Sequence, residues 1–285
     1  MDQAAKLREL LDTKVETSSF KVITVSSGKG GVGKSNFVVN LALTLNNLGK
    51  KVAILDADFG MANIDILLGI NSPYNISDIL SMGKSILDIT VETSEGIKII
   101  PGGSGISKLS DLSDIEEGII IREFEKLKDI DILIIDTGAG IGKTVINFIK
   151  MADDAIIITN SEPTSITDAY GLIKVISKDK SKDKINIVVN RSLDLEEASE
   201  TFNKLANTSR KFLSMNLHFL GYILEDINVR KAVKAQSPFV EIYPKSHASK
   251  CVQTIGKSLI GETYSNNNNK SIKGYISRLF GLMRG

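Results

Sequence analysis

Short apolar runs rich in β-branched residues alternate along the chain with longer stretches whose apolar positions recur every three or four residues. The runs FKVITVS (20–26), KVAILDAD (51–58), IKIIPG (97–102), DILIID (131–136), DAIIITN (154–160), INIVVNR (185–191) and FLGYIL (219–224) read as strands. Several are apolar throughout, the pattern of strands whose two faces are both covered by helices. Helical periodicity falls near 34–48, 115–128, 143–150, 165–179, 194–215, 227–236 and 247–260. This alternation predicts an α/β fold over residues 19–262: a doubly wound, mainly parallel sheet with helices on both faces. No internal repeat interrupts it.

Outside that block the pattern changes. In residues 1–18, DQAAKLR precedes a polar linker, DTKVETSS. Asp2 is placed to cap a short helix with Ala4, Ala5, Leu7 and Leu11 along one side. Such a segment is either a detachable helix that needs a partner or a start docked on its own domain. At the other end a polar linker, 263–270, leads into SIKGYISRLFGLMRG, 271–285. At roughly 100° per residue, Ile272, Tyr275, Ile276, Leu279, Phe280, Leu282 and Met283 share one face, with Lys273, Arg278 and Arg284 opposite. An apolar face with a basic flank on a polar tether is the pattern of a helix that lies on a membrane surface. A helix packed on its own core, or on a dimer partner, presents the same face.

Composition narrows the setting. With 285 residues, 42% of them hydrophobic, the chain can bury a large core. A net charge of +1 gives no global field for nucleic acid, and none is expected as a partner. Cys251 is the sole cysteine, which excludes a disulfide framework and any cysteine-rich metal or iron–sulfur site. No apolar run approaches the ~18 residues of a spanning helix, and the first residues do not read as a signal peptide. The expected location is cytoplasmic, with peripheral attachment to the inner face of the cytoplasmic membrane.

The chemistry is concentrated in SSGKGGVGKSN, residues 26–36, between the first strand and the first helix. Gly28, Gly33, Lys34 and Ser35 satisfy G-x-x-x-x-G-K-S, a loop whose glycines turn backbone N–H groups toward phosphate. Gly30, Gly31, Val32 and Asn36 complete the stretch. In this pattern Lys34 reaches the β- and γ-phosphates, Ser35 binds Mg²⁺, and the following helix offers its positive end to the same anion. Ligands of doubly wound sheets bind at the carboxyl ends of the strands. There the sequence places Asp56 and Asp58 after one apolar run and Asp136 after another. A carboxylate in such a position is the expected Mg²⁺ holder, and Asp58 is the candidate for orienting the attacking water.

Lys29 is not required by a simple phosphate loop. KGGVGKS resembles the deviant Walker A motif of the MinD/ParA family of P-loop ATPases. That resemblance implies ATP and Mg²⁺ as ligands, and a Lys29 that reaches across a dimer to the partner's nucleotide. DADFGMANID resembles the family's switch I, making Asp58 the water-positioning residue and Asp56 a magnesium-site carboxylate. DTGAGIG resembles switch II, with Asp136 near Mg²⁺ and Gly138 and Gly140 permitting movement. Asn190 and Arg191 resemble the adenine-contacting pair. LEDINVRKA, with Glu225, Asp226 and Val229, resembles the second base loop, although relatives commonly carry proline where this chain has LED.

The segment DQAAKLR resembles the N-terminal motif of the FlhG-type flagellar number regulators within that family. It implies contact with FlhF, a signal-recognition-particle-type GTPase, through Asp2, Gln3, Ala4, Leu7 and Arg8. The expectation is an ATPase switch with Lys29, Lys34 and Asp58 as catalytic residues, dimeric with ATP and attached to membrane through residues 272–283. It would set flagellar number and placement through FlhF and flagellar switch proteins. The competing expectations are a MinD/ParA-type ATPase that positions cell division or partitions DNA, and an ATP-gated scaffold with negligible hydrolysis. Nonspecific DNA binding needs a basic surface, which the charge balance does not supply.

Overall fold

The computed structural model describes residues 20–58, 63–103, 113–178, 182, 184–261 and 272–284. Eight strands form one sheet: β1 (Lys21–Ser27), β2 (Val52–Ala57), β3 (Val91–Glu92), β4 (Lys98–Pro101), β5 (Ile132–Ala139), β6 (Asp154–Thr159), β7 (Ile185–Ser192) and β8 (Leu217–Leu224). Their spatial order is β3-β4-β2-β5-β1-β6-β7-β8, and only the β3–β4 pair is antiparallel. β1, β2 and β6 bear almost no exposed position, as their unbroken apolar runs require. The longer helices are α1 (Lys34–Asn47), α2 (Asp114–Phe124), α3 (Lys143–Met151), α4 (Pro163–Ser177), α5 (Leu195–Leu213), α6 (Ile227–Lys234), α7 (His247–Gly261) and α8 (Ile272–Arg284). Short helical segments at Asn63–Leu68, Ile76–Met82, Ile86–Ile89 and Phe239–Ile242 fill the connections.

The doubly wound fold predicted from the alternation of apolar patterns is therefore present. On one face α1 and α7 cover the sheet through Val38, Leu41, Leu45, Val252, Ile255 and Leu259. α4 and α5 cover β6 and β7 through Leu172, Ile173, Ala198 and Leu205. β1 lies between β5 and β6; the connection after β1 runs to β2 on one side, and the connection after β5 crosses to β6 on the other. The loop after β1 thus sits where such sheets open a crevice for ligand.

The last helix settles where its apolar face is spent in this structure. α8 packs against α2 and α3. Tyr275, Ile276, Leu279, Phe280 and Met283 are each 3% exposed or less. They join a cluster with Phe20, Val22, Ile120, Phe124 and Phe148. Asn147 in α3 donates to the carbonyl of Leu282 at 3.2 Å, and Lys273 pairs with Glu125 at 2.7 Å. Of the face expected to meet a membrane, Ile272 is half-buried and Leu282 remains 39% exposed; Arg278 lies on the exposed side. The physical reason is that the face has apolar surface to meet within its own domain. Burying five such side chains is worth on the order of 10 kcal/mol before the cost of ordering the helix. Residues 1–18 and the linker 263–270 lie outside the described residues.

Candidate functional site

Residues 28–33 connect β1 directly to α1. Gly33 occupies the N-cap position with φ 93° and gives α1 no side-chain cap. The first N–H groups of the helix are left for whatever lies in the loop. A side chain at Gly33 would also strike Asn190, whose Nδ2 lies 2.4 Å from where a Cβ would stand. That Nδ2 donates to the carbonyl of Val32 at 2.7 Å, tying the loop to the end of β7. Gly28 is needed for a different reason: its Cβ would fall 2.2 Å from the backbone carbon of Asp168 in α4. At Gly30 and Gly31 a Cβ would meet nothing within 4 Å, so the middle of the loop opens onto free space.

The strand ends bring the remaining charges together. Lys34 Nζ lies 2.7 Å from Asp136 Oδ1 and 3.6 Å from Asp58 Oδ2. Asp56 and Asp136 are directly paired in the register of β2 and β5. Burial, and then the Asp136 carboxylate, push Asp56 up to about 7, against the N–H of Asp58 and the charge of Lys34. Burial likewise raises Asp136, opposed by Lys34. Asp136 Oδ2 is buried and has no hydrogen-bond partner among the described residues. One amine thus pairs with two carboxylates beside a third, and one buried carboxylate oxygen is left without a partner among the described residues. This donor set fits Mg²⁺, which takes one or two carboxylates and completes its shell with phosphate and water. Among the described residues no group of three or more carboxylate, His or Cys side chains forms a protein-only cage.

Lys29 sits at the outer edge of the loop. Its Nζ lies 2.9 Å from Glu162 Oε2 and 3.0 Å from Thr164 Oγ1 at the start of α4. The Lys29 hydrogen bond and charge hold the Glu162 carboxyl below its usual range.

On the far side of Gly33 a cavity of about 320 Å³ brings together Asn36, Asn190, Arg191, Glu225, Asp226 and Val229. Arg191 takes the left-handed conformation at φ 58°, with its N–H donating to Asn190 Oδ1. Not all of these residues are available to a ligand in the same way. Asp226 caps α6 by accepting from Asn228 N–H at 2.9 Å, and it also accepts from Ala248 N–H at 3.2 Å. Burial alone would raise its carboxyl; those N–H donors more than offset it and hold it low. Glu225 is paired with Arg230 at 2.6 Å.

The structure therefore places the loop, Lys34, Asp56, Asp58 and Asp136 on one side of Gly33, and the cavity residues on the other. Sequence reasoning missed Phe37, Arg230 and Phe239 in the cavity wall, and Glu162 and Thr164 beside Lys29. Phe37 was within reach, lying one turn beyond Gly33 on α1, and so was Arg230, next to Val229 in the LEDINVRKA stretch; Phe239, Glu162 and Thr164 arrive from other segments. Asp2, Gln3, Ala4, Leu7 and Arg8 lie outside the described residues, as do residues 59–62 of the switch-I-like stretch.

A glycine loop leading into an uncapped helix, with a buried lysine among strand-end carboxylates at the crevice of a doubly wound sheet, defines a P-loop nucleotide hydrolase. Comparison with known proteins narrows the class. The profile of the ParA family, described as NUBPL iron-transfer P-loop NTPase, matches residues 19–260. The antiactivator FleN of Pseudomonas aeruginosa is 35% identical over 260 residues, 91% of this chain and 93% of that protein. The flagellum site-determining protein YlxH of Helicobacter pylori is 34% identical over 269 residues, 92% of this chain and 91% of its own length. Among solved structures, the MinC:MinD cell division protein complex of Aquifex aeolicus superposes with a TM-score of 0.67. It is 27% identical, covering 87% of this chain and 98% of that one. The chain belongs to the ParA family of P-loop NTPases, as an ATPase of the MinD/ParA kind and FlhG type.

Proposed function

We propose that this protein is an ATP-driven dimerisation switch that governs the number and placement of flagella. The observation that carries the reading is the unbalanced cluster at the loop: Lys34 shared between Asp58 and Asp136, with buried Asp56 paired beside Asp136 in the sheet and Asp136 Oδ2 unpartnered among the described residues. A triphosphate and Mg²⁺ supply the charges this cluster lacks. Ser35 and Asp136 would hold the ion, with Asp56 beside them; Mg²⁺ when bound neutralises charge on the phosphates. Lys34 exchanges its hold on Asp136 for phosphate, and the N–H groups of residues 30–35 cradle the same oxygens. Asp58, 3.6 Å from Lys34, would orient water at the outer phosphate. Asn190, Arg191 and the wall of the 320 Å³ cavity receive the base. Lys29, on the rim, reaches the nucleotide of a second copy.

Assembly then controls location. α8 has the composition of a membrane-surface helix but is docked on its own domain. Its release, two copies per dimer, gives weak single tails a combined hold on anionic lipid through effective concentration. The flagellar output follows the similarity to FleN and YlxH along nearly the whole chain. It would pass through residues 2–8 to FlhF and on to flagellar switch components.

Light scattering with ATP, ADP and no nucleotide tests the core of this reading. The wild-type chain is expected to dimerise only with ATP, Asp58→Ala to remain dimeric by failing to hydrolyse, and Lys29→Ala to bind ATP as a monomer. Equal dimer content in the two variants refutes the assignment of Lys29 and Asp58. Flagellar counts in cells carrying Asp58→Ala test the output, and a wild-type count there removes it.

A further inference from the structure

The proposed dimer asks Lys29 to act on another subunit's phosphates, yet in the single chain this lysine already has a place. Its Nζ is 2.9 Å from Glu162 Oε2 and 3.0 Å from Thr164 Oγ1. Both acceptors belong to the first residues of α4, where Glu162 is the N-cap and Pro163 opens the helix. The seat is built into the packing. Gly28, beside Lys29, abuts the backbone of Asp168 and Ala169 in α4 so closely that no Cβ would fit. Ser27 Oγ donates to the Lys29 carbonyl at 2.9 Å, fixing the loop's course at that point. The loop is thus held against the helix at the residue before Lys29, and its own course is fixed at Lys29 itself. An ammonium beside a helix N-terminus is also unfavourable by itself, since both are positive. Only the Glu162 carboxylate makes this resting place acceptable, and Arg191 is a further cation acting on that carboxylate.

We infer that Glu162, assisted by Thr164, is a positioning residue that seats the Lys29 amine in the monomer and so sets how readily the dimer forms. The inference rests on the dimer reading above. An amine bound to Glu162 cannot at the same time bind a partner's phosphate, so each subunit must break this pair as it assembles. The pair is exposed, 39% for the lysine side chain and 56% for the glutamate, which keeps its strength modest. An exposed pair of this kind amounts to roughly a two- to fivefold factor in an equilibrium. Two are broken per dimer, giving about tenfold in all. That suits a switch: the seat delays assembly without preventing it.

The test uses the full chain with ATP and Mg²⁺, and the Asp58→Ala background to stop turnover. Glu162→Gln keeps the shape and removes the charge. It is expected to lower the protein concentration for half-dimerisation by about tenfold, with Glu162→Asp falling between it and the parent. Lys29 amine labelling by acetic anhydride in the nucleotide-free monomer, read by mass spectrometry, is expected to rise several-fold in Glu162→Gln while other lysines stay constant. A merely structural role for Glu162 would not change labelling at that one amine. Unchanged labelling overturns the seat. Raised labelling with an unchanged or higher dimerisation concentration overturns its control of assembly. If the Asp58→Ala parent itself stays monomeric with ATP, the dimer reading falls, and the inference with it.

Discussion

Tyr275 carries the one polar atom in the buried face of α8. Its ring is 2% exposed, and its hydroxyl has no hydrogen-bond partner among the described residues. A buried hydroxyl without a partner costs about 1–3 kcal/mol relative to leaving it in water. The docked helix therefore carries a penalty that the undocked helix, with the phenol hydrated, does not. Tyr275→Phe removes the oxygen and keeps the ring among Phe20, Phe124 and Phe148. Taking about 1.4 kcal/mol as the gain, the docked state becomes roughly tenfold more favoured. Hydrogen exchange followed by mass spectrometry reads this directly. In the nucleotide-free protein the amides of residues 272–284 are expected to exchange about tenfold more slowly in the variant. On the proposed membrane reading docking competes with lipid once per tail, so binding of the two-tailed dimer to anionic liposomes with ATP is expected to weaken by about tenfold or more. Exchange that is unchanged or faster refutes the reasoning, since the hydroxyl would then be satisfied or irrelevant in the docked state.

Two other perturbations follow from the site. Asp56 titrates near 7 in the fold against 3.8 in the open chain, so its ionised form destabilises the nucleotide-free protein. The sign is that of a raised acid: stability is fullest below 3.8 and is lost as pH rises to 7, by up to ~4 kcal/mol. Asp56→Asn, neutral throughout, is expected to melt above wild type at pH 8 without nucleotide, with the gap closing toward pH 5; a gap independent of pH refutes the account. Gly28→Ala places a methyl group against the backbone of α4, where no flexible side chain can yield. It is expected to lower stability by ~2–3 kcal/mol in denaturant titration and to weaken nucleotide binding in calorimetry; wild-type values in both show that the loop can move away.

The parts of the molecule legible in advance are those specified by local pattern. Strands buried on both faces write themselves as continuous apolar runs, and β1, β2, β5, β6 and β7 stand where those runs fall. β3 has two residues and pairs only as the return of a hairpin on β4, too short for any periodicity. Ile76–Met82 and Ile86–Ile89 did leave a signal: Asn75 with Asp78, and Ser85 with Asp88, are reciprocal capping boxes. That signal is easily passed over without a long apolar stripe behind it. The phosphate loop was readable because its glycines and lysines have a chemical purpose at fixed spacing. Glu162 was not, since nothing near it in the chain points to a lysine more than a hundred residues earlier. The face of α8 was read correctly as a face, but an apolar stripe is equally suited to protein or lipid, and only the tertiary structure assigns the protein side.

Asn147 belongs to the helix that β5 runs into. Its side chain holds the Leu282 carbonyl, while β5 itself carries Asp136 against Lys34. A single short length of chain, residues 136–147, therefore touches the loop lysine at one end and the last helix at the other. Between the two contacts lies the turn of residues 140–142, where Gly140 sits at φ 96° and Ile141 lies exposed. In the proposed switch this stretch would have to carry news of the phosphate to the tail, and stiffening its turn is expected to leave nucleotide binding and tail docking each intact but independent of one another.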